Sequence, residues 1–428
     1  MSGRKNNSHG ISKESRRENL NCYNGVNSNR RKIIMTEFGV SVYPDLSPMN
    51  EISDYLHLAA KYGFTRVFSS MFSVEGTNEE IVDYFREFIK TAHECGMRVS
   101  LDVNTSFLTK LGQSYDNVSL FHEIGCDIIR LDGSYGVEKD IIMTRNPYGI
   151  QVEMNASSSG AKEIAYFKEH GVPEDRVLVC HNFYPQRYTG LKWNNFLETN
   201  RKLRPYGYRM AAFVSSNNEN THGVWDARDG LPTVERMRGL PIDLQVRIML
   251  ATGDVDDILI GNAYASEAEF QAIAEIMKPA RPIEDSPIYK RLQAYGSDLS
   301  RFKECKRLKV IPEPDITEIE RGNLFDLIPQ ADYGDSSEWI WRSRMGRMVN
   351  ADRPIPPKHY DCETFPVGSV VVVNDNYRHY SGELQIVKIP IANDGQRNLI
   401  GHLAPGELMM LELINDGDLV EFMEYKAY

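Results

Sequence analysis

Cysteine is sparse in this sequence, and its spacing carries no metal or redox motif. The chain has six cysteines in 428 residues, and no two of them form a C-x-x-C pair. The histidines likewise form no H-x-H or H-E-x-x-H motif. We therefore expect neither a metal nor another cofactor, and the scattered thiols fit a reducing, cytoplasmic environment.

Long apolar runs and an excess of positive charge are also missing. No apolar run approaches the roughly 20 residues that a membrane-spanning helix needs, and the formal net charge is −11. Neither a nucleic acid nor a membrane is therefore an expected partner. The sequence has no G-x-G-x-x-G and no G-x-x-x-x-G-K-S/T motif, so nothing in it indicates nucleotide binding.

The composition changes along the chain and predicts four segments. Residues 1–34 are rich in Ser, Asn, Arg and Lys, and are expected to form a disordered leader. Residues 35–279 are expected to form a catalytic barrel domain, and residues 280–308 a charged connector. Residues 309–428 have strong strand and turn patterns and are expected to form a small, mostly β domain.

Strand and helix patterns alternate eight times in the predicted barrel domain. The expected strands cover residues 37–44, 65–72, 98–104, 126–133, 150–157, 176–185, 209–216 and 254–263. A long helix is expected over residues 233–250. Eight such units with short connections predict an α/β fold, the (β/α)8 TIM barrel. The main alternative is an open, doubly wound sheet, which usually has fewer units and a glycine-rich first turn.

Two carboxylates end neighbouring strands of this predicted barrel. Asp132 closes the stretch C-D-I-I-R-L-D-G, and Glu153 lies in I-Q-V-E-M-N-A-S. Because adjacent strands are ~4.8 Å apart, the two acids are expected side by side at the rim. We predict that Glu153 is a general acid and that Asp132 is a nucleophile or electrostatic stabiliser. The alternative is a structural ion network that joins both acids to Asp102 and Arg130.

Other polar residues at the predicted strand ends suit a hydroxyl-rich ligand. Hydroxyl and amide groups make the directional hydrogen bonds that a polyhydroxylated substrate needs. The predicted substrate-binding residues of the barrel are Tyr43, Ser70, Asp102, Asn104, Asn155, His181, Asn182, Tyr184, Ser215 and Asn217. For His181 the alternative is a hydrogen-bonded core histidine. The polar loop that contains Trp225 is either a lid that stacks on a sugar or an ordinary solvated loop.

The second domain contributes positive groups to an otherwise acidic chain. Arg378 lies in N-D-N-Y-R-H-Y-S-G-E-L-Q-I, and Arg342, Arg344 and Arg347 precede it. Guanidinium groups suit a phosphate or a carboxylate, so Arg378 is a further predicted substrate-binding residue. A solvated basic face is the alternative.

Four stretches of the chain resemble a known family. They are T-E-F-G-V-S-V-Y-P-D, R-L-D-G followed by V-E-M-N-A-S, V-L-V-C-H-N-F-Y-P-Q-R-Y-T-G-L, and V-N-D-N-Y-R-H-Y-S-G-E-L-Q-I. From about residue 36 to the C-terminus the chain resembles the bacterial 6-phospho-N-acetylmuramidases. The resemblance implies a TIM barrel followed by a cyclophilin-like β domain. It also implies a cytoplasmic glycosidase of peptidoglycan recycling, whose substrate is a 6-phosphorylated disaccharide of N-acetylmuramic acid (MurNAc) and N-acetylglucosamine (GlcNAc).

Other functions and mechanisms stay open at this stage. A sugar-phosphate aldolase or epimerase would need a Schiff-base lysine or a metal, and no lysine lies at a predicted strand end. A non-enzymatic carbohydrate-binding surface protein would need an export signal, and none is expected. If the substrate's acetamido group assists hydrolysis, Asp132 would orient that group instead of attacking carbon. The β domain is expected either to cover the barrel's open end or to mediate a homodimer.

Overall fold

The computed structural model describes residues 36–426 apart from residues 72–73, 158–160, 287, 295, 303–304 and 328. The predicted leader of residues 1–34 lies outside the described residues. The described chain divides into two compact units, the first ending at Ile276 and the second beginning at Met277. No helix among these residues has the length and apolar character to cross a membrane.

Eight parallel strands of the first unit form a closed barrel. Each strand pairs with the next along the chain, and β1 also pairs with β8, which closes the ring. The strands are β1 (Glu37–Val42), β2 (Arg66–Ser70), β3 (Arg98–Val103), β4 (Ile128–Leu131), β5 (Gln151–Asn155), β6 (Val177–Cys180), β7 (Arg209–Val214) and β8 (Asp257–Ile260). The predicted (β/α)8 barrel is confirmed, and the open doubly wound sheet is excluded.

Helices between the strands cover the outside of the barrel. They are α1 (Met49–Lys61), α2 (Asn78–Glu94), α3 (Thr105–Lys110), α4 (Ser119–Glu123), α5 (Val137–Thr144), α6 (Ala161–Glu169), α7 (Trp193–Leu203), α8 (Ile242–Thr252) and α9 (Glu267–Met277). Helix α2 shows why these segments are helical. Thr77 and Glu80 form a capping box at its start. Its residues Ile81, Phe85 and Phe88 recur at helical spacing and are buried.

Two predicted elements are shorter than their sequence patterns indicated. The helix expected over residues 233–250 begins only at Ile242, because Pro241 occupies the N-cap position and Gly239 has a φ of +77°. The strand expected over residues 176–185 ends at Cys180. Beyond it, residues 181–185 have no regular structure and form a loop at the carboxyl end of the barrel.

The interior near this end of the barrel has an apolar half. Phe68 of β2, Phe213 of β7 and Leu259 of β8 pack together with Leu231 from the loop after β7. Gly261 permits that loop to approach closely, because a Cβ there would lie 2.5 Å from the carbonyl oxygen of Leu231. Polar side chains of β3, β4 and the loop after β6, namely Asp102, Arg130 and Asn182, meet at the same end of the barrel.

The second unit is built on a seven-stranded sheet with the order β10-β17-β9-β16-β13-β14-β11. Its strands are β9 (Cys305–Pro312), β10 (Gln330–Ala331), β11 (Ile340–Ser343), β13 (Ser369–Val373), β14 (Leu384–Val387), β16 (Arg397–Leu403) and β17 (Leu419–Glu424), and β12 (Thr364–Phe365) pairs separately with β15 (Ile391–Ala392). The α-helices described in this unit are α10 (Tyr289–Ala294), α11 (Glu318–Phe325), α12 (Met345–Val349) and α13 (Leu408–Leu411). The predicted mostly β second domain is confirmed.

Candidate active site

A guanidinium group organises the polar part of the barrel rim. Arg130 of β4 is opposite Asp102 of β3 in the strand register, and its Nη1 donates a 2.6 Å hydrogen bond to Asp102 Oδ1. Its other terminal nitrogen donates to Asn182 Oδ1, in the loop after β6. Because Arg130 and Asp102 are both buried, this pair is shielded from the solvent that would weaken it.

Asp132 lies beside the same guanidinium, one step nearer to solvent. Its Oδ1 is 3.8 Å from Arg130 Nη1, and its side chain is 47% exposed, compared with 8% for Asp102. The residue follows β4 directly, at the carboxyl end of the strand where barrel enzymes place catalytic groups. Asp102, Arg130 and Asp132 therefore form part of the ion network that the sequence indicated as an alternative.

Glu153 lies deeper in the barrel than Asp132. In the strand register it is opposite Arg130, and strand residues two apart on one face belong to successive layers. The expectation that the two acids emerge side by side is therefore wrong, because the strand stagger places them one layer apart. Glu153 is fully buried, accepts a 2.5 Å hydrogen bond from Arg66 and lies 3.4 Å from Ser100 Oγ. The catalytic roles of Asp132 and Glu153 stay predictions.

Burial and charge act in opposite directions on Asp102. Removal from water disfavours the carboxylate and raises the pKa of Asp102 to about 6, although Arg130 acts to lower it. The negative charges of Asp132 and Glu153 raise the pKa further. Asp102 therefore holds a proton at mildly acidic pH, and the exposed carboxylate of Asp132 lies close to it.

Several predicted substrate-binding residues have structural partners. Asn104 caps α3 by accepting a 2.8 Å hydrogen bond from the Phe107 amide. His181 is fully buried between Asn200, at 2.8 Å, and Ser157, at 3.2 Å. Burial lowers the pKa of His181 to about 4, so it is a neutral core histidine near pH 7.

Two further candidates lie on the apolar side of the barrel. Tyr43 is fully buried, and its hydroxyl donates a 2.5 Å hydrogen bond to the Gly261 carbonyl. Ser215 is buried too, and its hydroxyl accepts from the Leu231 amide at 3.0 Å. Ser215 therefore holds the loop after β7 in place, and Tyr43 ties the residue after β1 to the residue after β8.

The other candidates differ in their access to solvent. Ser70 and Asn155 are buried at the ends of β2 and β5, and Ser70 is opposite Asp102 in the register. Tyr184 is half-buried, and its carbonyl accepts from Arg238. Asn217 is exposed and donates to the Leu240 carbonyl. These contacts do not test whether the residues bind substrate, so their binding roles stay predictions.

Two exposed aromatic residues follow β6 and β7. Tyr188 is 88% exposed and Trp225 is 66% exposed, and both have positive φ angles, +71° and +58°. A left-handed backbone is costly for bulky residues and is concentrated at functional sites. The two loops are joined, because Glu235 accepts from the Tyr188 and Gly190 amides at 2.7 and 2.9 Å. Both interpretations of the Trp225 loop, a sugar-stacking lid and a solvated loop, stay predictions.

The arginines of the second unit have carboxylate partners. Arg342 and Arg347 both contact the buried Glu383, at 2.6 and 3.4 Å, and Arg344 contacts Asp335. Arg378 is exposed and pairs with Asp375 at 2.9 Å. Their positive charges are thus largely balanced within the unit, and phosphate or substrate binding by Arg378 stays a prediction.

Arg66 was not predicted as a site residue, although the sequence contains a signal for it. Arg66, Phe68 and Ser70 alternate along β2, so they share one face. Since Phe68 packs inside the barrel, Arg66 points inward as well and contacts Glu153 and Asp257. Neither acid is near Arg66 in sequence, so the alternation alone could have indicated a buried charge but not its partners.

Comparisons with known proteins match both units. The model of the 6-phospho-N-acetylmuramidase N-terminal domain matches residues 38–275, and that of the C-terminal domain of the same family matches residues 306–423. No curated protein matches the chain.

Two solved structures resemble the whole described chain. One is an uncharacterized protein from B. cereus, with 31% identity and a TM-score of 0.76, covering 91% of this chain and 100% of that chain. Another is a conserved Enterococcus faecalis protein of unknown function, with 22% identity and a TM-score of 0.62, covering 91% of this chain and 96% of that one. With both of its units matched by the family models, the chain belongs to the 6-phospho-N-acetylmuramidase family of glycosidases.

Proposed function

We propose that the protein hydrolyses a disaccharide in which MurNAc 6-phosphate is linked through its anomeric carbon to GlcNAc. The observation that carries this proposal is the match of both units to the 6-phospho-N-acetylmuramidase models. The polar rim supports it, because two carboxylates, an amide and a guanidinium meet at the carboxyl ends of barrel strands. Such groups suit a hydroxylated substrate and acid–base chemistry.

The proposed reaction needs a proton donor and a carboxylate. The bond from the anomeric carbon of MurNAc 6-phosphate to the GlcNAc oxygen breaks, and that oxygen takes a proton from the donor. Water then supplies a hydroxyl group to the anomeric carbon and a proton to restore the donor, so the products are MurNAc 6-phosphate and GlcNAc. Asp132 is proposed as the ionised carboxylate, because it is exposed at the rim and lies 3.8 Å from Arg130.

Two roles are open to Asp132 in this reaction. It either attacks the anomeric carbon or orients the substrate's acetamido group, which then attacks the carbon itself. A covalent glycosyl-enzyme trapped with a slow substrate supports attack by Asp132. An oxazoline product analogue that inhibits strongly supports the second role.

The proposed cellular setting is cytoplasmic peptidoglycan recycling, in which the phosphorylated disaccharide is the partner molecule. Five free cysteines among the described residues are compatible with a reducing compartment. Detection of the enzyme and its product in the cytoplasmic fraction tests this setting. Accumulation of the phosphorylated disaccharide in a strain that lacks the protein tests the role in recycling.

The activity is tested by incubating purified protein with phosphorylated and unphosphorylated MurNAc–GlcNAc and analysing the products by mass spectrometry. Cleavage of the phosphorylated form alone is expected. Asp132→Asn should lower turnover by at least about 100-fold, because it removes the charged carboxylate. The matched control is Asp175→Asn, an exposed residue that precedes β6 at the opposite end of the barrel. Equal activity of Asp132→Asn and the control would contradict the proposed site.

A further inference from the structure

The proton donor predicted from sequence has an unsuitable environment. Glu153 is fully buried and its carboxylate is engaged by Arg66, which is itself fully buried and also contacts Asp257 at 3.2 Å. A proton donor must reach the leaving oxygen within hydrogen-bond distance or through one water. To do so, Glu153 would have to give up its contact with Arg66 and leave that buried guanidinium to share Asp257 with Arg209, which is energetically expensive.

Asp102 has the access that Glu153 lacks. It lies one position from the end of β3, at the level of Ser70 and Arg130, and its side chain retains some exposure. Its Oδ1 and Asp132 Oδ1 lie 2.6 and 3.8 Å from the same nitrogen of Arg130. The distance between the two Oδ1 atoms is therefore at most the sum of these two distances. This upper limit is compatible with the ~5–5.5 Å that separates the two carboxyl groups of retaining glycosidases.

We infer that Asp102 is the proton donor of the proposed glycosidase, with Asp132 as its ionised partner, and that Glu153 serves the structure of the barrel. This inference rests on the proposed function. The two acids face one guanidinium from neighbouring positions, β3 and the end of β4, and differ in exposure. Burial favours the protonated form of one acid and exposure favours the charged form of the other, so one acid can donate a proton while its partner stays ionised.

The charges around Asp102 agree with this assignment. Arg130 of β4 lowers the pKa of Asp102, whereas burial, Asp132 and Glu153 of β5 raise it, and the result is about 6. The buried Tyr43 also interacts electrostatically with the Asp102 carboxylate. Below pH 6 Asp102 is mostly protonated in the free enzyme, so it can give a proton to the leaving oxygen and recover one from the attacking water.

In the reaction the Asp102 proton moves to the GlcNAc oxygen as the glycosidic bond breaks. Asp102 is then a carboxylate whose charge Arg130 balances. When water attacks the anomeric carbon, Asp102 takes one of its protons, and the hydroxyl group stays on MurNAc 6-phosphate. No electron is gained or lost, and the donor returns to its initial protonated state.

Leaving-group dependence distinguishes a proton donor from a structural residue. A dinitrophenyl glycoside of MurNAc 6-phosphate releases a phenolate that needs no proton. Asp102→Asn should therefore lose at least about 100-fold in kcat/KM for the disaccharide but less than about 10-fold in kcat/KM for the dinitrophenyl substrate. The comparison uses kcat/KM because this constant reports cleavage of the glycosidic bond, whereas Asp102 also assists the later attack of water on both substrates. Glu153→Gln should change both rates by the same factor. A leaving-group-dependent loss in Glu153→Gln, or an equal loss on both substrates in Asp102→Asn, would overturn the inference.

The pH profile gives a second and independent readout. If Asp102 must be protonated, kcat/KM of the wild-type enzyme should fall as pH rises through about 6. Arg130→Met removes a charge that lowers the Asp102 pKa, so this fall should move to higher pH. A fall that moves to lower pH, or does not move, contradicts the assignment.

A conservative variant guards against misfolding. Asp102→Glu keeps an acid at the position, so measurable hydrolysis of the disaccharide with an altered pH profile supports the inference. Asp102→Glu could instead be inactive on the disaccharide while its circular dichroism matches the wild type and its activity on the dinitrophenyl substrate is full. That result indicates that the distance from the acid to the leaving oxygen is critical, and it supports the inference as well. Full disaccharide activity of Asp102→Asn overturns it. Lack of hydrolysis of either substrate by the wild-type enzyme would instead refute the proposed function.

Discussion

At the scale of single residues, His181 links burial to acid sensitivity. Burial lowers its pKa from 6.5 to about 4, and Asn200 holds the ring by a hydrogen bond. As the pH falls below 6.5, the unfolded chain takes up a proton on this histidine before the folded protein does. The stability associated with the neutral ring is thus complete above pH 6.5 and is lost progressively toward pH 4.

The predicted consequence concerns the free energy of unfolding in mild acid. Between pH 7 and pH 5, His181→Gln should lose less stability than the wild type, by on the order of 2 kcal/mol. Asp102, whose pKa is raised, shifts stability in the opposite direction, but it is present in both proteins and cancels in the comparison. The measurement is urea denaturation at each pH. The control is His57→Gln, an exposed residue of α1, and a pH dependence for His181→Gln that matches this control would contradict the prediction.

At the scale of elements, the loop after β7 carries Trp225 on a left-handed backbone, largely exposed. If its ring stacks on a sugar, Trp225→Ala should raise KM for the disaccharide about 10-fold or more and change kcat little, because stacking binds substrate and transition state alike. Steady-state kinetics measure this split. The matched control is Trp339→Ala, a tryptophan of the second unit with 48% exposure. A KM that Trp225→Ala leaves unchanged would favour the solvated-loop interpretation.

The elements themselves could largely be predicted from the sequence. Period-2 alternation, as in Val99, Leu101 and Val103 of β3, indicated each barrel strand, because one face packs under helices. The register between strands could not be predicted, since it depends on the tilt and stagger of the closed ring. That is why Asp132 and Glu153 were expected in one layer although Glu153 is level with Arg130.

The candidate site was predicted in its location but not in its pairing. Asp102, Asp132 and Asn182 were all selected as strand-end residues, and the structure brings them together around Arg130. The partner of Glu153, Arg66, is 87 residues away in sequence, and local patterns carry no information on such a contact. Likewise, the pairing of Arg342 and Arg347 with Glu383 could not be foreseen from their positive charges alone.

At the scale of the whole molecule, the described cysteines are free and differ strongly in exposure. Cys362 is exposed, whereas Cys126 and Cys180 are buried and Cys95 and Cys305 are intermediate. Thiol reagents need an accessible thiolate, so in a Cys22→Ser background Cys362 should account for the fast phase of labelling by Ellman's reagent. Cys362→Ser should abolish this phase and Cys126→Ser should leave it intact. A fast phase that survives Cys362→Ser would contradict the exposure seen here.

The ionic cluster beneath the rim constrains how this barrel can change. Arg66 bridges Glu153 and Asp257, and Arg209 contacts Asp257 as well, so charged side chains of four strands meet in one cluster. Replacing one member alone leaves the charge of its partner buried without compensation. Substitutions at these positions are therefore expected in matched sets. The exposed aromatic residues of the rim loops, Tyr188 and Trp225, lie outside this cluster and can vary one at a time. Substrate preference can therefore change at the mouth of the barrel while the ionic cluster of Arg66, Glu153, Asp257 and Arg209 stays the same.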